Sequence, residues 1–118
     1  METVHIYDIS IFEEYLSLIK PAMLLLNMYY QKKDNLNRIK ATKTEICSAI
    51  GVSYSSVGNW IRKLCKAGAI KYKYSGETRL NPNFAFDGSA ADYNAAMQEW
   101  KNFKSDIKAD YRTNKTPA

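Results

Sequence analysis

Three residues, Gly51-Val52-Ser53, constrain this chain most, because they leave room only for a tight turn between two segments of helical periodicity. The first segment opens with Thr42 and carries Glu45 three residues on. That is the spacing of a capping box, in which each side chain satisfies the other residue's backbone N–H. Ile46, Cys47 and Ile50 then line one face, and Gly51 supplies the left-handed residue that ends such a helix. Val52 is an apolar plug in the turn. Ser53 is an N-cap for the second segment. There Val57, Trp60, Ile61 and Leu64 give the i, i+3, i+4, i+7 stripe of a buried face, and Gly68 terminates the helix.

Beyond Gly68 the period changes to two. The run AIKYKY alternates apolar and basic residues as a half-buried strand does, Ser75-Gly76-Glu77 is a turn, and Thr78–Asn81 returns until Pro82 stops it. The following Asn83–Phe86 carries two aromatics toward the core. Upstream, Ile9, Phe12, Leu16 and Ile19 fall near helical spacing. Pro21 suits the first turn of a further helix with Leu24, Leu25 and Met28 among its buried positions, fading at Asp34–Asn37. A last helix is expected from about Ser89, with Tyr93, Met97, Trp100, Phe103 and Ile107 recurring at spacings of three and four. The expected fold is mainly α with a small β-hairpin: an N-terminal helix in 1–20, a central domain in 21–88, a C-terminal amphipathic helix in 89–112 and a disordered tail in 113–118.

The charge is unevenly placed. Eleven cations and three carboxylates lie between Gln31 and Arg79, a charge of +8 against +5 for the whole chain, so the flanks are acidic. A basic centre of this kind fits a polyanionic partner or a merely solvated lysine-rich surface, and the motifs must decide between them. His5 is the one histidine, and with Cys47 and Cys65 it offers no metal-ligand spacing and no catalytic set. No enzyme activity, cofactor, metal or small-molecule ligand is expected. The cysteines sit in apolar helical patterns and are expected to be reduced thiols. The acidic start lacks a signal sequence, and the longest apolar run, Ala22–Leu26, is too short to cross a bilayer, so a cytoplasmic location without membrane contact is expected.

The helix after Ser53 presents Tyr54, Ser55, Ser56, Gly58 and Asn59 outward and has no Asp or Glu from Ser53 to Cys65. Small and polar residues followed by cations suit insertion into the DNA major groove. Asn59 can pair bidentately with adenine. Ser55 and Ser56 can take a phosphate or a base edge, Tyr54 a phosphate or a thymine methyl, and Gly58 permits close backbone approach. Thr42 and Lys43, at the N-terminus of the preceding helix, and Arg62 and Lys63 are placed for phosphates. In the hairpin Lys71, Lys73, Ser75, Gly76 and Arg79 suit a flap that tracks phosphate or minor groove; an ordinary solvated strand edge and turn is the alternative. Tyr54 could instead cover the domain's own surface and Asn59 could face solvent, whereas Trp60 belongs with the core stripe.

Residues Ile46–Ile70 resemble the winged helix-turn-helix pattern of many bacterial and phage regulators: Ala49, Gly51, Val52, Ser53, Val57, Ile61, Leu64 and Ala67-Gly68-Ala69-Ile70 fill its slots. Arg79-Leu80-Asn81-Pro82-Asn83-Phe84-Ala85-Phe86 is similar to the strand end of RepL-type plasmid replication proteins, a resemblance covering about residues 20–90. It implies sequence-specific binding of double-stranded DNA in replication initiation or its control. A transcriptional repressor, or an accessory factor in plasmid transfer or partition, would use the same chemistry. The apolar terminal helices are expected to pack on the domain or to pair two chains, with a homodimer favoured.

Overall fold

The computed structural model describes residues 3–7 and 22–107. In chain order the elements are β1 (Thr3–Tyr7), α1 (Ala22–Lys32), β2 (Arg38–Lys40), α2 (Lys43–Ile50), α3 (Tyr54–Lys66), β3 (Ile70–Tyr72), β4 (Glu77–Leu80), β5 (Ala85–Ser89) and α4 (Ala90–Asn102). The strands form two antiparallel sheets, β2-β4-β3 and β1-β5. This corrects the expectation of a mainly α chain with one hairpin. The fold has four helices and five strands among the described residues. Residues 3–7, inside the expected N-terminal helical segment, are a strand, as the β-branched and aromatic run Thr-Val-His-Ile-Tyr prefers. The helix expected over Ile9–Ile19, Pro21 and the tail from Thr113 lie outside the described residues.

Each central cap forms as its sequence dictates. Thr42 Oγ1 accepts from the Glu45 N–H at 3.2 Å, and Glu45 Oε1 accepts from the Thr42 N–H at 2.8 Å. Gly51 adopts φ 70°, ψ 38°, where a Cβ would be strained, and its N–H closes α2 on the Cys47 carbonyl. Ser53 Oγ accepts from the Ser56 N–H at 3.2 Å. α3 buries Val57, Ile61, Leu64 and Cys65, with Trp60 half-buried beside them. α1 contributes Leu25, Leu26 and Tyr29 to the same core. Leu24, expected inside, is 55% exposed, because the buried stripe of α1 runs through 25, 26 and 29.

The three-stranded sheet closes the core from the other side. Ile39, Ile70, Tyr72, Thr78 and Leu80 point inward, while Arg38, Lys40, Lys71, Glu77 and Arg79 alternate outward. β2 was not foreseen, because three residues with two exposed cations give too short a period to read. Phe84 and Phe86 are buried as expected. Both cysteines are free thiols, and burial pushes the Cys65 thiol up to about 12. Among the described residues no helix is long and apolar enough to cross a membrane.

The segment between α1 and β2 turns on Asp34. Its carboxylate accepts from the Leu36 and Arg38 N–H groups, both at 2.9 Å, and from the Arg38 guanidinium at 2.7 Å. Partial burial pushes this carboxyl up, but the Arg38 and Leu36 hydrogen bonds outweigh it and hold it below its ordinary value of 3.8. A depressed folded-state pKa gives a contribution that is present above the unfolded value and lost as pH falls through the folded one. Acid titration of wild-type protein should therefore show a loss of stability below pH 3.8 that is smaller in Asp34→Asn. Equal acid sensitivity of the two proteins, followed by circular dichroism, would contradict this role.

The C-terminal helix departs from its expected length. α4 ends at Asn102, with Phe103 extended at φ −78°, ψ 128°, so Phe103 and Ile107 are not on the helix. The chain instead runs along the outer edge of β3. The Tyr72 N–H donates to Ser105 Oγ at 3.0 Å and the Asp106 N–H to the Tyr72 carbonyl at 2.8 Å. This strap covers an edge that would otherwise be open to another strand. α4 packs against β1, β4 and β5 of its own chain, which buries Ala96 and half-buries Tyr93, Met97 and Trp100.

Candidate nucleic-acid interface

α3 carries an exposed line that its buried stripe leaves free. Ser55, Asn59, Arg62 and Lys66 are all exposed, at i, i+4, i+7 and i+11 along one side. Tyr54 stands beside Ser55 with 59% of its surface exposed. Ser56 is half-buried, and its hydroxyl lies 2.9 Å from that of Ser53, so it belongs to the helix cap as much as to the surface. Lys63 is half-buried, and neither it nor Arg62 has an ion-pair partner among the described residues.

The capped start of α2 stands against this helix. Lys43 Nζ lies 5.4 Å from the Tyr54 ring centroid and 5.7 Å from that of Tyr74, just beyond β3. Gly58 is where this lysine crosses α3: a Cβ at Gly58 would sit 3.5 Å from Lys43 Nζ, an ordinary contact. The fold itself therefore does not require glycine there. Gly58→Ala should raise the stability of the free protein by about 0.5–1 kcal/mol, the helix-propensity difference. A urea midpoint that fell instead would contradict this open packing.

The hairpin divides differently from expectation. Lys71 Nζ donates to the Trp100 carbonyl and lies 4.6 Å from the Trp100 ring centroid, and burial pushes its ammonium pKa down. Lys73 Nζ lies 4.8 Å from the Phe103 ring. Arg79 pairs with Glu99 at 3.0 Å, stacks 4.4 Å from Phe103 and has only 14% of its side chain exposed. These three cations thus engage α4 and its C-terminal end, on the outer face of the β2-β4-β3 sheet. Alternation predicted that face, but no local pattern announced that another helix would cover it.

Gly76 is likewise structural. At φ 101° it is buried, its carbonyl accepts from the Ala41 N–H at 3.0 Å, and a Cβ would meet the Ala41 carbonyl at 3.1 Å. It clamps the hairpin to the chain entering α2. Ser75 is exposed in the same turn. Tyr74, which strict alternation would bury with Ile70 and Tyr72, is 67% exposed, because β3 ends at Tyr72 and the turn swings the next residues out. An aromatic residue adjoining a Ser-Gly turn was the available signal.

The Leu80–Phe84 segment forms a hydrogen-bonded corner. Asn81 Nδ2 donates to the Gly68 carbonyl at 2.9 Å, and its Oδ1 accepts from the Asn83 N–H at 2.9 Å. Pro82 and Phe84 are buried, and the Tyr93 hydroxyl donates to Asn83 Oδ1 at 2.7 Å. Asn37, also missed in the sequence, ties this corner to β2. It is buried at φ 58°, and its Nδ2 donates to the carbonyls of Leu80 at 3.0 Å and Ala85 at 2.8 Å.

Two capped helices joined by a glycine turn, backed by an antiparallel sheet and presenting a carboxylate-free polar face, define a small α/β protein built around a helix–turn–helix pair. The family model of the Firmicute plasmid replication protein (RepL) matches residues 13–116, and the chain belongs to that family. The match takes in every described element except β1. Membership places the chain among proteins of plasmid replication. No curated protein and no solved structure matches it.

Proposed function

We propose that this chain is a winged helix-turn-helix protein that binds double-stranded DNA sequence-specifically during initiation of plasmid replication or its control, without enzymatic activity of its own. The observation that carries the reading is the exposed line Ser55, Asn59, Arg62 and Lys66 on α3, beside Tyr54, with no carboxylate between Ser53 and Cys65. In this reading the N-terminal half of α3 enters the major groove, with Ser55 and Asn59 at base edges. Lys43 at the start of α2, and Arg62, Lys63 and Lys66 along α3, neutralise phosphates, with Thr42 beside Lys43 as a hydrogen-bonding neighbour. The β3–β4 hairpin is the wing, and its contact comes from Ser75 at the turn. Lys71, Lys73 and Arg79 hold the wing against α4 instead. Family membership favours replication over a repressor or transfer role.

The test is selection of bound fragments from the parent plasmid, followed by footprinting. Protection of a discrete site within the replication region supports the reading. Retention of no fragment at low salt, or uniform protection of all of them, overturns it.

A further inference from the structure

Two tyrosines share one cation at the edge of the proposed DNA surface. Tyr54, in the first turn of α3, and Tyr74, beyond β3, are two of the three most exposed large apolar side chains among the described residues. Lys43 Nζ lies within 6 Å of both ring centroids and has no ion-pair partner among the described residues. Tyr74 is held in place from behind. Its N–H donates to Asp106 Oδ2 at 2.8 Å, and its ring meets the buried Tyr72 edge-on at 6.1 Å. A positioned but uncovered ring is an available stacking surface, and the neighbouring ammonium is an available phosphate partner.

In a paired duplex the base faces are covered by their neighbours, so an aromatic ring stacks only where a base step is opened, and most cheaply on a base that is already unpaired. We infer that Tyr54, Lys43 and Tyr74 form a binding site for an unpaired nucleotide, the rings stacking on its base and Lys43 meeting its phosphate. The protein would then bind its duplex site and also capture a locally opened segment beside it. This inference rests on the duplex-binding reading and adds Tyr74 as a residue that selects DNA structure rather than sequence.

The experiment uses the full chain and the footprinted duplex, in a fully matched form and in a series with a two-base mismatch moved stepwise along and beside the site. Wild-type protein should bind one position of the mismatch at least about fivefold more tightly than the matched duplex, the lower end of what one stacked base contributes. Tyr74→Ala should abolish that gain while keeping affinity for matched duplex within about twofold, and Tyr74→Phe should retain it, because the ring and not the hydroxyl stacks. Binding to matched duplex with no gain at any mismatch, or a gain that survives in the Tyr54→Ala, Tyr74→Ala double variant, overturns the inference and leaves the duplex reading standing. Failure to bind any of these DNAs overturns both.

Discussion

Replacing Asn37 by alanine should destabilise the protein by about 3 kcal/mol, read as a fall in the urea midpoint at unchanged slope. Asn37 is 1% exposed, and its side-chain amide donates to two carbonyls more than forty residues away, those of Leu80 and Ala85. Alanine removes both donors from a site that water does not reach, and each buried group left short of a partner costs about 1–3 kcal/mol. It also puts alanine at φ 58°, a left-handed conformation that asparagine adopts more readily, which adds about 1 kcal/mol. Asn37→Gly separates the two effects: it tolerates the backbone angle and loses only the hydrogen bonds, so it should be less damaging than alanine. A loss under about 1 kcal/mol for Asn37→Ala would mean that this amide does not hold the corner together.

The second large effect concerns recognition. Asn59→Ala should weaken binding to the footprinted site by about 1–3 kcal/mol, leave binding to unrelated duplex unchanged and slightly stabilise the free protein. Asn59 is exposed in mid-helix, so alanine removes a base-edge partner without opening a cavity. Arg62→Ala should behave differently. Its guanidinium has no ion-pair partner among the described residues, so its loss should weaken binding to every duplex and flatten the dependence of log K on log salt by about 0.9. Measured by fluorescence anisotropy over a salt series, indistinguishable behaviour of the two variants on specific and unrelated DNA would contradict this division of roles.

The local parts of this fold were legible because their signals are local. Thr42 with Glu45, Gly51 and Ser53 each set a backbone conformation within four residues, and all three caps form as read. The α3 stripe was readable for the same reason: one face is buried and the period is unbroken. Long-range pairing was not legible. β2 and β5 are recognisable as strands only beside β4 and β1, and Asn37 in a polar turn gave no sign of its partners at Leu80 and Ala85. The same limit applied to the surface. The sequence could place Lys71, Lys73 and Arg79 on the outward side of the hairpin. It could not disclose that Trp100, Glu99 and Phe103 arrive there. Conversely, the Asn-Pro-Asn-Phe run that carried the family resemblance forms a corner in which Pro82 and Phe84 are buried and the Asn81 side chain ties the chain to Gly68, so a family's most readable motif can have a structural part.

Methylation interference on the footprinted duplex probes the groove occupied by α3 most directly, since a methyl group on guanine N7 projects into the major groove alone. If the Ser55–Asn59 side of α3 lies there, modification of guanines at the centre of the footprint will block binding, and Asn59→Ala will relax base preference at one neighbouring position. Interference confined to minor-groove adenine positions, with N7 methylation tolerated throughout the footprint, would contradict the placement of α3.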